Sequence, residues 1–381
     1  MPTTFAKLLD SSRVVVTVGA GGVGKTTTAA AIATAAARRG RRVLCLTIDP
    51  AKRLAQALGL DMIGTEEAVV DKAHFRTSGV EIQGSLTVMM LDTKTTFDAL
   101  VRKYSSTKEK ADKLLSNKLY QYVSTSLAGT QEYMAVEKLV AVKDDPRFDL
   151  VVLDTPPTSN ALDFLDAPER LVSALDSATM KWFLTAFQSS GKLSLNLLAK
   201  SASVVLKGIG KITGGGFLEA MAEFITELND LFGGFKERAR IVQKTLRSDD
   251  VAFVLVTSPA PMSIREVLYF AERLHESGMR AGSIVVNRMR VAPDGGAPVT
   301  VAEAKAAILE GKLVLDEDAS ERVAQAHADA FKLASLDASH LRLLEGMAGN
   351  TPIIRIAERP IDVNDVSMLL TLGELMLAGG E

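Results

Sequence analysis

Few of the residues that build metal clusters or disulfide frameworks are present in this sequence. Its 381 residues include one cysteine, four histidines and 5% aromatic residues. A single thiol, Cys45, cannot form an internal disulfide or a multi-thiolate metal site. Because the histidines include no H-x-x-x-H pair, we expect no structural zinc.

A large excess of charge and long apolar runs are missing as well. The formal net charge is −2, which gives no global reason to expect nucleic-acid binding. Nowhere do about 18 apolar residues follow one another without a charged one, so we expect no membrane-spanning helix. Residues 1–13 lack the long apolar core of a secretion signal. We therefore expect a cytoplasmic protein.

Seven short apolar runs predict buried parallel strands. They are rich in Val, Leu and Ile and are continuous rather than alternating, as in strands covered on both faces. Helical patterns separate them, which favours an α/β fold with a doubly wound, mostly parallel sheet. The runs are residues 13–18, 43–48, 86–91, 150–154, 252–256, 283–286 and 353–356.

Two intervals between these runs are too long for simple crossover connections. Residues 95–147 and 163–247 have helical patterns, and we predict that both insertions build one helical subdomain at one end of the sheet. Residues 301–347 predict further helices, which we expect to cover one face of the sheet. The prediction is thus a single domain over residues 1–381 that carries a helical subdomain.

The strongest motif is a phosphate-binding loop at residues 19–26, Gly-Ala-Gly-Gly-Val-Gly-Lys-Thr. It matches G-x-x-x-x-G-K-[ST] between a predicted strand and an Ala-rich helix, which is the context that a P-loop requires. A glycine-rich turn alone would not explain Lys and Thr at this spacing. We predict that Lys25 pairs with the β- and γ-phosphates and that Thr26 ligates Mg²⁺. The other nucleotide-binding residues of the loop are predicted to be Gly21, Gly22, Val23, Gly24 and Thr27.

Two aspartates lie at the carboxyl ends of predicted strands that follow the loop in the sequence. Asp154 ends the run 150–154, where a carboxylate can reach the magnesium shell. Asp49 follows the run 43–48, where a carboxylate can orient or activate a water. Both also begin good turn sequences, so capping of a strand-to-helix turn is the alternative. The preceding P-loop favours the functional interpretation.

The choice of base is predicted from the end of the run 283–286. It is followed by Asn287-Arg288-Met289-Arg290. A guanine-reading N-K-x-D motif needs an acid that is missing here, whereas an amide both donates and accepts hydrogen bonds, which suits adenine. We therefore predict ATP rather than GTP.

Taken in order, these motifs resemble the arsenite-pump and tail-anchored-protein-targeting ATPases, the ArsA and GET-pathway family. The similarity covers nearly the whole chain in organisation. Residues 46–58, 126–134 and 160–168 are nearest to the actinobacterial Get-like subfamily, whose members are paired Bag subunits. The shared motifs are the loop, Asp49-Pro50-Ala51, Asp154-Thr155-Pro156-Pro157-Thr158 and Val286-Asn287.

The resemblance implies a nucleotide-sandwich dimer that binds ATP or ADP with Mg²⁺. It implies that Asp49 activates the attacking water, that Asp154 holds Mg²⁺ through water, and that Asn287 contacts adenine. The stretch 352–358, which begins at Pro352, would form the loop over the base.

Three departures from the family pattern are visible. Position 20 is Ala20, where the family loop usually has a lysine that crosses to the partner's phosphates. The zinc-binding C-x-x-C of eukaryotic relatives is missing, and one cysteine excludes three-thiolate arsenite binding within one chain. The lost lysine favours a heterodimer with a paralogue that keeps it over a homodimer that hydrolyses ATP by another route.

The work that hydrolysis drives is left open between three hypotheses. Residues 177–218 contain five lysines and no acid among many apolar residues, which indicates either a solvated helix pair or a groove for a hydrophobic client or membrane surface. The leading hypothesis is an ATPase that opens and closes a dimer to handle a hydrophobic client or partner protein. The alternatives are a subunit that drives a membrane anion exporter and a MinD/ParA-like spatial organiser. Residues 362–381 contain no Lys or Arg, which speaks against membrane docking there.

Overall fold

The computed structural model describes residues 5–48, 53–118, 120–121, 124, 130–155, 166, 173, 224, 234, 237–294, 296–316 and 318–380. The chain divides into two compact units. The first comprises residues 1–89, 147–161 and 249–381, and the second comprises residues 90–146 and 162–248. The second unit thus spans nearly the same residues as the two predicted insertions. The lysine-rich segment 177–218 lies outside the described residues.

The first unit is built on an eight-stranded sheet in the order β3-β4-β2-β5-β1-β6-β7-β8. From β2 to β8 along this order the strands pair in parallel, and β3 pairs with β4 antiparallel. This sheet confirms the predicted α/β class. The strands are β1 (Val14–Val18), β2 (Arg42–Thr47), β3 (Ala68–Val69), β4 (Ser85–Met90), β5 (Leu150–Asp154), β6 (Val251–Thr257), β7 (Ala281–Met289) and β8 (Ile353–Ala357).

All seven predicted strands are present, and β3 is an addition. Strands β1, β5 and β6 are buried along their whole length, which explains why their sequences are continuous apolar runs. Strand β3 has two residues, Ala68 and Val69, and both are exposed. Two exposed residues give neither a continuous run nor an alternation, so no sequence pattern predicts them.

The helix that follows the phosphate-binding loop packs closely against the last helix of the described residues. The alanines of α2 (Lys25–Arg38) are buried. A Cβ placed on Gly373 of α11 (Val366–Ala378) would lie 2.7 Å from the carbonyl oxygen of Ala31 and 2.7 Å from the Cβ of Ala35. Small side chains on both helices therefore permit their close approach. The helices of the described residues are α1 (Phe5–Ser11), α2 (Lys25–Arg38), α3 (Arg53–Ala57), α4 (Lys72–Thr77), α5 (Thr93–Tyr104), α6 (Lys108–Ser116), α7 (Thr130–Lys143), α8 (Pro261–Glu276), α9 (Val301–Glu310), α10 (Ala319–Met347) and α11 (Val366–Ala378).

The second unit is helical in its described part, which comprises α5, α6, α7 and helical residues 237–246. Helix α5 is capped by Asp92, whose side chain accepts a hydrogen bond from the N–H of Thr95. Glu137 and Arg238 form a buried ion pair inside this unit. Burial raises the pKa of Glu137, and the charge of Arg238 opposes that rise. Across the described part of the chain, no helix combines the length and apolarity needed to cross a bilayer.

Candidate functional site

The loop joins β1 to α2 and requires glycine at its last position before the helix. Gly24 adopts a left-handed φ of 99°. A Cβ placed on it would lie 2.3 Å from Nδ2 of Asn287. Helix α2 begins at the next residue, Lys25. The loop thus leads directly into a helix N-terminus, where unpaired backbone N–H groups and the helix dipole favour an anion.

Lys25 lies inside the loop. Its Nζ donates a hydrogen bond to the carbonyl oxygen of Ala20, 2.7 Å away, and the residue is 6% exposed. This bond ties the end of the loop to its beginning, while the Ala20 side chain packs against the hydrophobic core. A loop of this motif wraps around a polyphosphate, so the one cation of residues 19–26 is held where that anion would bind.

A buried group of hydroxyls surrounds Asp154 at the carboxyl edge of the sheet. The parallel register of β2, β5 and β1 places Thr47, Asp154 and Thr17 side by side. Oδ2 of Asp154 accepts a hydrogen bond from Oγ1 of Thr26 at 2.8 Å and another from Oγ1 of Thr47 at 2.9 Å. Asp154 is fully buried. The two residues predicted to bind Mg²⁺ are therefore in direct contact.

This donor set fits Mg²⁺. The ion prefers hard oxygen ligands, usually one or two from the protein together with water and substrate phosphates. Thr26 and Asp154 supply a hydroxyl and a carboxylate beside the loop. The nearby thiol is no comparable ligand, because Cys45 is buried in β2, and burial, followed by the charge of Asp154, raises the pKa of that thiol.

Asn287 holds the loop from the other side. It lies near the end of β7, and its Nδ2 donates a hydrogen bond to the carbonyl oxygen of Val23 at 2.9 Å. Together with Gly24 and Thr27 it borders a cavity of about 290 Å³, whose far wall is formed by residues that follow the middle of β8, between 356 and 363. The predicted base-contacting residue thus borders a cavity next to the loop.

Pro352, which is also predicted to contact the base, does not border this cavity, and its role stays a prediction. It precedes β8, and its carbonyl oxygen accepts a hydrogen bond from the N–H of Ile284, near the start of β7. Parallel strands place these amino ends at the edge of the sheet opposite Asn287. The residues that do border the cavity come after β8, among them Glu358 and Asp362.

A second cavity, of about 440 Å³, lies along the loop on the side of α3. Lys25, Thr26 and Thr27 border it together with Arg53 and Gln56 of α3. The two α3 residues were not predicted as site residues. They fall within the family-like stretch 46–58, but neither belongs to a motif with a known spacing. Asp49 lies outside the described residues, so its role stays a prediction.

Comparisons with known proteins show the family of this chain. The model of the family described as anion-transporting ATPase (ArsA_ATPase) matches residues 12–316. ATPase GET3 of Malassezia globosa is 26% identical over 300 residues, which cover 77% of this chain and 78% of that protein. ATPase get3 of Schizosaccharomyces japonicus is 25% identical over 310 residues, covering 80% and 84% respectively. A protein of Prosthecochloris vibrioformis, provisionally named an arsenical pump-driving ATPase, is 24% identical over 280 residues, covering 73% and 61%.

Proposed function

This chain belongs to the family of anion-transporting ATPases (ArsA_ATPase), and we propose that it hydrolyses ATP with Mg²⁺ at the loop of residues 19–26. The observation that carries the proposal is the 2.8 Å hydrogen bond between Oγ1 of Thr26 and Oδ2 of Asp154. It joins the threonine of the loop to a strand-end carboxylate far away in the sequence. A glycine-rich turn with a purely structural role would not need this pairing.

The role proposed for each residue follows from its position. The backbone N–H groups of the loop and Lys25 bind and orient the polyphosphate. Thr26 and Asp154 would hold Mg²⁺, which neutralises phosphate charge when bound. Thr47 donates to the same carboxylate oxygen and so fixes its direction towards the loop. Asp49 is proposed to orient or deprotonate the attacking water, a role that rests on the family resemblance alone.

Adenine is the proposed base because of how the Asn287 amide is oriented. Its nitrogen donates to the carbonyl oxygen of Val23, so the amide oxygen is the end available to a base in the adjoining cavity. An amide oxygen can accept from the exocyclic amino group of adenine, whereas guanine has a carbonyl oxygen at the same place. Two acceptors would then oppose each other, which favours ATP over GTP.

We also propose that hydrolysis opens and closes a dimer that handles a hydrophobic client or partner protein. Support comes from the GET-pathway resemblance and from similarity to the GET3 proteins along most of the chain. Because Ala20 replaces the crossing lysine, we propose a heterodimer with a paralogue that keeps it. Ala20→Lys should then accelerate ATP turnover by the isolated chain. Fast turnover by the unmodified chain that Ala20→Lys leaves unchanged would exclude this pairing.

A subunit that drives an anion exporter is the second candidate. The family description and the similarity to the protein of Prosthecochloris vibrioformis favour it. The buried position of Cys45 speaks against metalloid binding through thiolates. ATP turnover measured with and without arsenite separates the two candidates. Client handling predicts no stimulation, and strong stimulation would favour the exporter.

The nucleotide site is tested by calorimetry with ATP and Mg²⁺ on the unmodified chain, on Lys25→Ala and on a control, Lys305→Ala, whose side chain is exposed on α9. Loss of the buried cation should weaken ATP binding by about 10² to 10³-fold. The control should bind ATP normally, and thermal unfolding should show that all three proteins are folded. Equal ATP affinity of Lys25→Ala and the unmodified chain would refute the site.

A further inference from the structure

The end of β7 contains an arginine in a backbone conformation that arginine rarely adopts. Arg288 has φ of 60°, and the only other non-glycine residue with positive φ in the described part of the chain is Lys312. A residue with a Cβ is strained in this left-handed region, and such strain persists where the surroundings impose it. The position calls for a reason why arginine stands there rather than glycine.

Hydrogen bonds of three neighbouring residues fix the backbone around Arg288. Asn287 donates to the carbonyl oxygen of Val23 at 2.9 Å. The carbonyl oxygen of Met289 accepts from the N–H of Glu358 at 2.8 Å. The N–H of Arg290 donates to Oδ2 of Asp337 at 2.9 Å, and Asp337 is a buried residue of α10. Because the residues before and after Arg288 are held by these hydrogen bonds, the fold fixes Arg288 in its left-handed conformation.

This conformation places the Arg288 side chain over the loop. Its Nη1 lies 3.5 Å from the carbonyl oxygen of Gly22, and the residue is exposed. Three cavities beside the loop measure about 290, 440 and 510 Å³, and of the described residues Arg288 alone borders each of these three. The nearby acid Glu358 lies 3.8 Å from Arg290, so another arginine already counters its charge.

We propose that Arg288 is a second phosphate-binding cation of the nucleotide site, supplied by the same chain as the loop. The guanidinium is planar, permanently charged and able to bind two phosphate oxygens at once. Its contact with the neutral Gly22 carbonyl is long, so a polyphosphate in the loop offers it a stronger partner. The loop itself contributes a single cation, Lys25. The inference rests on the proposed nucleotide site and adds a residue to it.

Arg288→Asn is the main test, because asparagine tolerates the left-handed conformation and removes the charge. Arg280→Asn is the matched control: Arg280 lies immediately before β7, and its side chain donates to the carbonyl oxygen of Asp249. Affinities are measured by calorimetry for ATP and for inorganic triphosphate, which has no base. Arg288→Asn should weaken binding of both by about tenfold or more, while the control binds both normally. Arg288→Lys, which keeps the charge without the fork, should lie between the two.

The outcomes separate this inference from the nucleotide site itself. If the unmodified chain and Lys25→Ala bind ATP equally, the site is refuted and Arg288 has no role in it. If Lys25→Ala loses ATP but Arg288→Asn binds both ligands normally, only the role of Arg288 is refuted. Weaker binding of ATP with unchanged binding of triphosphate would place the contact on the base or sugar and would also overturn the inference. Thermal unfolding should show that Arg288→Asn is at least as stable as the unmodified chain.

Discussion

The two sides of the loop are built in different ways. On one side, Asp154 is fully buried and receives hydrogen bonds from Thr26 and Thr47, in a group set by the register of adjacent strands. On the other side, Asn287 and Arg288 border a cavity, and their side chains contact backbone carbonyl oxygens of the loop. The buried side thus has its geometry fixed by the sheet, whereas the open side depends on a turn held by distant residues.

The difference indicates that the two sides of the loop have different functions. A carboxylate buried among hydroxyls has a fixed direction, which suits the positioning of a metal ion and phosphate. Side chains at a cavity rim can exchange a loop contact for a ligand contact, which suits recognition of the base and the polyphosphate. Substitutions on the buried side should therefore change turnover, and substitutions on the open side should change affinity and base preference.

The largest effect is expected from Asp154→Asn. The substitution keeps the size of the side chain and removes the charge that would hold Mg²⁺, so ATP turnover should fall on the order of 10³-fold. Steady-state ATPase assays over a range of Mg²⁺ concentrations measure the effect. Asp149→Asn makes the same change just before the other end of β5 and should leave turnover nearly unchanged. Normal turnover and normal Mg²⁺ dependence of Asp154→Asn would remove the functional distinction between the two sides.

Asp49→Asn should reduce turnover by about 10²-fold or more while ATP binding is retained. The expected reason is the loss of the carboxylate that orients or activates water. Turnover and calorimetric affinity are measured on the same preparation, in the presence of any co-purified paralogue. If the variant hydrolyses ATP at the unmodified rate, Asp49 is only a turn residue, and the catalytic part of the buried side does not include it.

Asn287→Ala should act on recognition instead. Loss of the amide should weaken ATP binding by about tenfold and narrow the preference for ATP over GTP, since one hydrogen bond to the base is removed. Competition binding with ATP and GTP gives both values. Asn350→Ala changes an exposed asparagine near the amino end of β8 and serves as the control. An unchanged ratio of the two affinities would mean that Asn287 only supports the loop.

The smallest effect is expected at the surface end of β5. Hydrogen bonds from Arg42 lower the pKa of Asp149 from its ordinary 3.8 to about 2. A lowered folded-state pKa stabilises the fold above pH 3.8, and this contribution disappears as the pH falls towards 2. Because the pair is partly exposed, its contribution should not exceed about 1 kcal/mol.

Unfolding of the unmodified chain and Asp149→Asn between pH 7 and pH 2 checks this pH dependence. The stability difference should be present at pH 7 and should vanish at the acid end. A difference that grew as the pH fell would contradict the assigned ion pair. The same measurement gives the contribution to folding stability of the exposed carboxylate of Asp149. The buried carboxylate of Asp154, at the opposite end of the same strand, is expected to affect ATP turnover instead.

Much of the buried side could be predicted from sequence because its signals are local. A P-loop motif between a strand and a helix locates Lys25 and Thr26, and a continuous apolar run places Asp154 at a strand end. Parallel pairing then brings such ends to one edge of the sheet. The contact between Thr26 and Asp154 follows from these elements together, although the hydrogen bond from Thr47 needed the register of β2 and β5.

The open side was predicted less well because it depends on tertiary contacts. Asn287 and the end of the stretch 352–358 border the cavity beside the loop, whereas Pro352 begins that stretch at the other end of β8. Arg288 had no sequence signal, since its left-handed conformation is imposed by Glu358 and by Asp337 of α10. A strained arginine at a strand end looks like any surface arginine until its neighbours are known.

The close packing of α11 on α2 has a consequence for the order in which the site can form. Helix α2 begins at Lys25, and its buried alanines rest against the helix around Gly373. A ribosome releases the residues of α2 long before those of α11, so a nascent chain has the loop sequence without the surface that covers its helix. The helix that presents the loop therefore gains its full packing only after the residues of α11 have been synthesised and have folded against it.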